Sequence, residues 1–198
     1  MRVVVLTVDQ HGSQTQPDHV PAALDDLAAS VPARLAFQRT AGDEFQGVLD
    51  DPAALPLALE HLLRSEVWNI GIGIGEIETP LPDQARAGRG PAYVAAREAV
   101  TAAKSSPWRI RVSGPADTAR ALESAVWLWA ALLARRTARG WEVADLVDQG
   151  LTYEEAASRL GITQSAVSQR AAAAGIAEGR RARELVQFLT RTALEGER

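Results

Sequence analysis

The stretch Leu151-Thr-Tyr-Glu-Glu-Ala-Ala-Ser-Arg-Leu-Gly-Ile-Thr-Gln-Ser-Ala-Val-Ser-Gln-Arg170 determines the predicted fold of the C-terminal part of the chain. Thr152 is a good helix N-cap, and Glu155, three residues later, completes a capping box. Gly161 stands where a helix end needs a residue that tolerates the left-handed conformation, and Thr163 is placed to cap a second helix. The pattern therefore predicts two short helices joined by a tight turn, which is the helix-turn-helix arrangement.

The apolar positions of the same stretch favour a close crossing of the two helices. Ala157 is small, Leu160 and Ile162 are placed at the turn, and Val167 points back into the core. The pattern resembles the helix-turn-helix domains of sigma-factor region four and related regulators. That resemblance implies that the second helix contacts the base edges and phosphates of double-stranded DNA. The residues expected to contact DNA are Thr163, Gln164, Ser165, Ser168, Gln169, Arg170, Arg180 and Arg181.

The composition of the 198-residue chain is ordinary for a globular protein with one large domain or two small ones. The absence of cysteine excludes disulfides and thiolate metal sites. No apolar run reaches the roughly 18 residues of a membrane span, and the short apolar segment after Met1 lacks a signal-peptide cleavage site. We therefore expect a cytoplasmic protein that makes no membrane contact.

The net charge of −4 is unusual for a DNA-binding protein, but it is unevenly distributed. Residues 1–114 contain ten Arg and Lys against fourteen Asp and Glu, whereas residues 115–198 contain eleven of each kind. A group of arginines follows the predicted second helix: Arg170, Arg180, Arg181 and Arg183. Such a group can meet phosphates within a neutral domain, and a solvated charged helix face is the alternative.

The first part of the chain alternates between strand and helix patterns. Strands are predicted over residues 2–8, 35–39, 44–49, 67–77 and 108–112, and helices over residues 22–30, 51–63 and 92–104. The order β-α-β-β-α-β with an added helix and strand predicts an α+β domain of the ferredoxin-like, or palm, type over residues 1–114. Ser113-Gly-Pro115 is the predicted domain boundary.

Residues 115–198 are predicted to form an all-α domain with the helix-turn-helix at residues 152–175. A long helix over residues 116–138 has one apolar stripe. Trp127 lies off that stripe and is expected to face either a partner subunit or the first domain. A last helix over residues 180–194 is expected to pack on the long helix.

Four motifs of the first part occur in an order that resembles a known family. They are Val8-Asp-Gln-His-Gly-Ser13, Thr40-Ala-Gly-Asp-Glu-Phe45, Asn69-Ile-Gly-Ile-Gly-Ile-Gly75 and Tyr93-Val-Ala-Ala-Arg97. Over roughly residues 2–112 the chain resembles the SatD family. It is more distantly similar to the catalytic domains of class III nucleotidyl cyclases and of GGDEF proteins.

The resemblance to the cyclases implies a site for metal and nucleotide. In those enzymes an Asp at the end of the first strand and an Asp at the hairpin hold two divalent metals, and Asp9 and Asp43 match these positions. Mg²⁺ favours carboxylate and phosphate oxygens, so it is the cofactor that the resemblance implies. Arg97 matches an arginine of the cyclases, whereas Tyr93 stands in the position of their asparagine. We expect Arg97, Tyr93 and Gly73 to lie against a phosphate or nucleotide, since strand glycines permit close approach.

Three hypotheses for function remain open at this point. The first is a dimeric, DNA-binding transcription regulator whose first domain senses a nucleotide or metal or serves for dimerisation. The second is a metal-dependent nucleotidyl cyclase or transferase, which Tyr93 and the replacement of a GGDEF glycine by Ala41 disfavour. The third is a non-enzymatic scaffold for protein interactions. We favour the first hypothesis and predict no catalytic residue.

Overall fold

Residues 1–196, which the computed structural model describes, form five β-strands and eight α-helices. In chain order the elements are β1 (Arg2–Gln10), α1 (Val20–Ser30), β2 (Leu35–Arg39), β3 (Glu44–Leu49), α2 (Ala54–Leu63), β4 (Trp68–Glu76), α3 (Pro91–Ala103), β5 (Ile110–Ser113), α4 (Ala116–Leu133), α5 (Ala138–Asp148), α6 (Tyr153–Leu160), α7 (Gln164–Ala173) and α8 (Ile176–Glu195). The last two residues of the predicted domain 115–198 lie outside this description. No helix within residues 1–196 is long and apolar enough to cross a lipid bilayer.

The strands form one mixed sheet in the order β2-β3-β1-β4-β5. β1 runs antiparallel to both β3 and β4, β2 and β3 form an antiparallel pair, and β5 is parallel to β4. Because successive strand residues face opposite sides, β1 contributes Val4, Leu6 and Val8 to one face and Val3 and Val5 to the other. The α+β fold class predicted from the sequence is confirmed.

One face of the sheet is covered by helices from both parts of the chain. α1 and α2 pack there together with α4 and α8, and the side chains that fill this core include Leu59, Leu122, Trp129 and Val186. α4 and α8 also lie against each other, as the sequence predicted. The region beyond residue 114 thus supplies part of the core of the sheet, so the predicted boundary does not separate two hydrophobic cores.

The other face of the sheet is covered by α3, which lies very close to β4. A Cβ atom added at Gly73 would come within 2.2 Å of the backbone nitrogen of Ala96, and one at Gly71 within 2.3 Å of that of Val100. The prediction that Gly73 leaves room for a nucleotide is therefore wrong, because the backbone of α3 occupies that space. The strand glycines serve close helix–strand packing.

α5, α6 and α7 form a three-helix unit with a small core of its own, which includes Val143, Ala156 and Val167. The predicted capping box opens α6. The hydroxyl of Thr152 accepts a hydrogen bond from the N–H of Glu155, and the Glu155 carboxylate accepts one from the N–H of Thr152. The bonds from Thr152 hold the pKa of the Glu155 carboxyl below its usual range.

The turn between α6 and α7 has the predicted geometry. Gly161 ends α6 in the left-handed conformation with a φ of 65°, and the Thr163 side chain accepts a hydrogen bond of 3.1 Å from the N–H of Ala166 at the start of α7. Both features satisfy backbone groups at helix ends that have no partner within the helix.

Two local predictions about the tryptophans need refinement. β5 begins at Ile110 and not at residue 108, because Trp108 and Arg109 have φ angles of 58° and 53°, values that interrupt an extended strand. Trp127 faces the first part of the chain, since its indole N–H donates to the carbonyl oxygen of Ile110 at 3.0 Å.

Replacing Gly73 with Ala is expected to lower the free energy of unfolding by about 3 kcal/mol, because the added methyl group overlaps the backbone of α3. Urea unfolding followed by circular dichroism measures the loss. Gly75→Ala is the matched control on the same strand, since a Cβ atom added at Gly75 comes no closer than 3.0 Å to the backbone of α3. Equal losses in the two variants would contradict the close approach of α3 to β4.

Candidate functional site

Three polar side chains lie next to one another in a row across the sheet, near the end of β1. Asp9 on β1 is paired in register with Glu44 on β3 and with Asn69 on β4. These residues share the sheet face that α3 covers, because they alternate with apolar residues that face the opposite side. We call Asp9, Glu44 and Asn69 the polar row.

Glu44 in the polar row is held by an ion pair with α3. Both terminal nitrogens of Arg97 donate to its carboxylate, one of them at 2.8 Å, and the hydroxyl of Thr40 donates to it at 2.7 Å. The Glu44 residue is 9% exposed, so this bidentate pair neutralises a nearly buried charge. Arg97, which was predicted to face a phosphate, is bound to a carboxylate in the structure.

Asp9 and Asn69 in the polar row meet the two cations that follow α3. The Nζ atom of Lys104 lies 3.3 Å from a carboxylate oxygen of Asp9, and the side-chain amide of Asn69 donates to the same oxygen at 2.9 Å. Arg109 donates to the amide oxygen of Asn69 at 3.2 Å. Each member of the polar row therefore contacts a cation: Glu44 binds Arg97, Asp9 binds Lys104 and Asn69 binds Arg109.

A polar cleft of about 600 Å³ opens beside Asp9. It is lined by both predicted metal ligands, Asp9 and Asp43, and by the segment 10–15. The backbone carbonyl of Asp43 accepts a hydrogen bond of 3.1 Å from the N–H of Gln10, which places the β2–β3 turn against the end of β1. The structure thus brings the two aspartates to one cleft, together with Lys104.

The donor set of this cleft does not fit a centre of two divalent metals. Mg²⁺ requires several oxygen ligands in octahedral geometry. The Asp9 carboxylate already faces the ammonium group of Lys104, which a metal ion would have to displace. No group of three His, Cys, Asp or Glu side chains suited to a metal ion comes together within residues 1–196.

Tyr93 lies away from the cleft. It belongs to the core between α3 and the sheet, where it packs with Val3, Val5 and Val48 and lies against Gly88. Its hydroxyl is buried without a hydrogen-bond partner in the described part of the chain, and burial raises the pKa of the phenol. The prediction that Tyr93 contacts a nucleotide in the cleft is therefore wrong.

The outer side of α7 is a second candidate site, and it is polar and open to solvent. Gln164, Ser165, Ser168 and Gln169 are all exposed, whereas Val167 and Ala171 on the inner side are buried. Thr163 is used as the N-cap of α7, so its hydroxyl is engaged in the helix start. The side chains of these four exposed residues form no hydrogen bond within residues 1–196, and only their backbone groups are bonded within the helix.

The arginines that follow the predicted second helix are mostly engaged in contacts within the protein. Arg170 lies 3.8 Å from a carboxylate oxygen of Glu142. Arg180 donates to the carbonyl oxygen of Val147 at 3.3 Å and lies near Asp148. Arg181 extends into solvent, with 82% of its side chain exposed. The predicted positive group is thus divided among separate partners.

One buried carboxylate joins the three-helix unit to the rest of the protein. Glu60 on α2 is 7% exposed and accepts a hydrogen bond from Arg183 of α8, while the guanidinium of Arg136 lies 3.6 Å away. Arg183 also donates to Asp148 at the end of α5, at 2.9 Å. We call Glu60, Arg136, Arg183 and Asp148 the clasp.

Further contacts around the clasp hold α5 and α7 in place. Arg136 donates to the carbonyl oxygen of Ala174, just beyond α7, at 2.8 Å. The Trp141 ring on α5 contacts two guanidinium groups, with Arg64 at 4.3 Å and Arg136 at 4.7 Å from its centroid. Arg64 also forms an ion pair with Asp145. These contacts position the outer side of α7 relative to the sheet.

The two arginines of the clasp respond differently to burial. Burial lowers the pKa of Arg136, and the charges of Glu60 and Asp148 oppose that shift. Burial acts in the same direction on Arg183, but the two carboxylates outweigh it and raise the pKa of that group. Because arginine stays protonated in proteins, both cations of the clasp keep their charge at neutral pH.

Residues of these sites that were not singled out from the sequence include Asn69 with its neighbours Lys104 and Arg109 at the polar row, and Glu60, Arg136 and Asp148 at the clasp. Asn69 is the first residue of a quoted motif, so its position at the start of β4 was the one available signal. The others depend on contacts between residues far apart in the chain.

Comparison with protein-family models, curated proteins and solved structures gives no match for this chain.

Replacing Glu60 with Gln is expected to lower the free energy of unfolding by about 2–4 kcal/mol, because the buried guanidinium of Arg136 loses its carboxylate and Arg183 keeps only Asp148. Chemical denaturation at neutral pH measures the loss. Glu184→Gln is the matched control, since Glu184 pairs with the exposed Arg181 and such surface pairs contribute little. The role of the clasp is disproved if Glu60→Gln unfolds at the same denaturant concentration as Glu184→Gln.

Proposed function

We propose that this protein binds double-stranded DNA through α7 and acts as a transcription regulator. The observation that carries the proposal is the outer side of α7, where Ser165, Ser168 and Gln169 recur at helical spacing with no partner within residues 1–196. A helix of this kind, presented by a preceding helix and a tight turn, fits the major groove. Glutamine side chains can bond adenine at two positions, and serine can bond any base edge or a phosphate.

The charge of the three-helix unit favours recognition by base contacts over general attraction to phosphates. Residues 138–175 contain three arginines and five acidic residues, which gives 3 − 5 = −2. Arg159 is an exposed cation that can meet the DNA backbone, and Arg181 can do so by exchanging its solvent-exposed partner Glu184 for a phosphate. With few phosphate contacts, the affinity for DNA falls only weakly as the salt concentration rises. The logarithm of the binding constant plotted against the logarithm of salt concentration has a slope of about −0.9 per phosphate contact.

The first part of the chain is proposed to serve as the sensing module of the regulator, in line with its resemblance to the SatD family. The strand order β4-β1-β3-β2 and the packing of α1 and α2 on one face support a ferredoxin-like arrangement to which α3 and β5 are added. The cleft beside Asp9 contains carboxylates, two cations and an amide, which suits binding of a polar ligand. No transfer reaction is assigned to it, because Lys104 occupies the cation position at Asp9.

We expect sequence-selective DNA binding that depends on α7. Selection of bound sequences from random DNA by the purified protein, followed by fluorescence anisotropy on the selected site, supplies the measurement. Gln164→Ala and Gln169→Ala should each weaken binding to that site by about 1–3 kcal/mol and relax its sequence preference, with little change on unrelated DNA. Gln149→Ala, an exposed glutamine at the end of α5, is the matched control and should bind as the parent does. Failure to select any sequence would refute the proposal.

A homodimer is also proposed, because helix-turn-helix proteins commonly read two half-sites about one helical turn apart. α4 and α8 pack together, and their exposed apolar residues are Leu128, Leu185 and Phe188. Leu185→Glu should therefore shift the protein towards monomer in sedimentation experiments at tens of micromolar, since a charge would be buried in the contact. Val94→Glu, at an exposed apolar residue of α3, serves as the control. A parent protein that sediments as a monomer contradicts the dimer.

A further inference from the structure

A second cavity, of about 550 Å³, lies between the end of the sheet and the helices that hold the three-helix unit. Its volume is within the range of about 300–1,000 Å³ that is typical of sites for small ligands. Its apolar and aromatic wall is formed by Leu62, Leu63, Trp68, Ile70, Trp108, Ala130 and Ala134. Asp9 and Asp43 do not line it, but His11, Lys104 and Arg109 line both this cavity and the cleft described above, so the two adjoin each other.

Trp108 stands at the mouth of this cavity in an unfavourable backbone conformation. Its φ is 58° and that of Arg109 is 53°, in the left-handed region that residues other than glycine rarely adopt. The Trp108 side chain is left 45% exposed in spite of its size. Backbone strain of this kind is concentrated at ligand-binding sites, where it holds a side chain in position for a partner.

Among the charged groups around the cavity, Arg109 is the one that favours an anion. The titratable groups that line it are His11, Glu66, Lys104 and Arg109. Arg109 is bonded only to the neutral amide of Asn69, and it has no carboxylate partner within residues 1–196. Lys104 is shared with Asp9, while the side chain of His11 is bonded to the backbone carbonyl of Glu66. A ligand anion would thus find its counter-charge in Arg109.

We propose that this cavity binds a small planar anion, namely an aromatic or heteroaromatic ring that bears a carboxylate or phosphate group. The ring lies against Trp108 and the apolar wall, and the anionic group is bound by Arg109 with Lys104 beside it. Such a division between an apolar wall and a few polar anchors is typical of small-molecule sites. Binding is coupled to the placement of the three-helix unit, and the effect of this coupling on DNA binding rests on the proposed function.

The regulatory part follows from the two helices that the ligand would contact. Leu62 and Leu63 line the cavity on α2, the same helix that provides Glu60 to the clasp. Ala134 lines it at the end of α4, and Arg136, two residues further, binds both Glu60 and the end of α7. A ligand that favours one spacing of α2 and α4 therefore also favours one placement of α7, which is the condition for coupling between two sites.

Direct binding is tested by calorimetry with salicylate and with AMP, which carry the two kinds of anionic group on a ring. Indole and inorganic phosphate, as ring alone and anion alone, should bind at least about tenfold more weakly, since each lacks one half of the contacts. Arg109→Gln should lower the affinity for salicylate or AMP by about tenfold or more, because a charge-assisted hydrogen bond is lost. Arg86→Gln, an exposed arginine remote from the cavity, should not.

Trp108→Gly separates binding from folding. Glycine adopts the left-handed conformation without strain, so the variant should keep its unfolding temperature near that of the parent while it binds the ligand more weakly. Binding of salicylate alone identifies a carboxylate ligand, and binding of AMP alone identifies a nucleotide. No binding of either compound at millimolar concentration, or equal binding by parent, Arg109→Gln and Trp108→Gly, overturns the site.

The coupling has a readout that does not need DNA. Amide hydrogen exchange over residues 138–175 should change when the parent protein binds the compound, and should not change in Arg109→Gln. DNA affinity on the selected site should shift in parallel. Binding without any change in exchange overturns the coupling. Binding with a change in exchange, in a protein that selects no DNA, supports the ligand site and its coupling while it rejects the proposed function.

Discussion

The placement of α7 relative to the sheet depends on ion pairs that meet at one buried carboxylate. Glu60 lies between Arg136 and Arg183, and these three residues come from α2, from the link after α4 and from α8. A buried charge is tolerated only when its partners are correctly placed, so the ion pairs favour a single arrangement of the helices that supply them. Arg136 extends this constraint to the end of α7, where it binds the carbonyl oxygen of Ala174. The sheet and the three-helix unit are thereby held as parts of one structure.

The close packing of α3 on β4 has a comparable role on the other side of the sheet. Because Gly71 and Gly73 carry no side chain, α3 lies low enough for Arg97 and Lys104 to meet Glu44 and Asp9 across the sheet surface. The segment that follows α3 then turns at two left-handed residues, Trp108 and Arg109, and both line the same cavity. The polar row and the cavity next to it are both consequences of this packing.

The sequence predicted those features that depend on neighbouring residues. The capping box of Thr152, the left-handed Gly161 and the cap at Thr163 involve groups at most four residues apart, and all were predicted correctly. The polar row was not predicted, because it depends on strand register and on side chains from α3. Gly73 was assigned wrongly to a nucleotide site. The alternation of glycine and isoleucine along β4 shows that one strand face has no side chains, but it does not show that α3 covers that face. Arg183 was placed with a phosphate-binding group because its partner, Glu60, lies 123 residues away.

The chain leaves the core of the sheet at the end of α4 and returns to it with α8, so the three-helix unit is an excursion between two core helices. During synthesis the sheet therefore lacks part of its cover until α8 has emerged, since Val186 and Ala193 belong to the same core as Leu122 and Trp129. A fragment that ends at residue 114 would expose that apolar face to water. By contrast, the residues between α4 and α8 form a segment that evolution or engineering can exchange for another unit, provided that Arg136 and Arg183, the partners of Glu60, are kept.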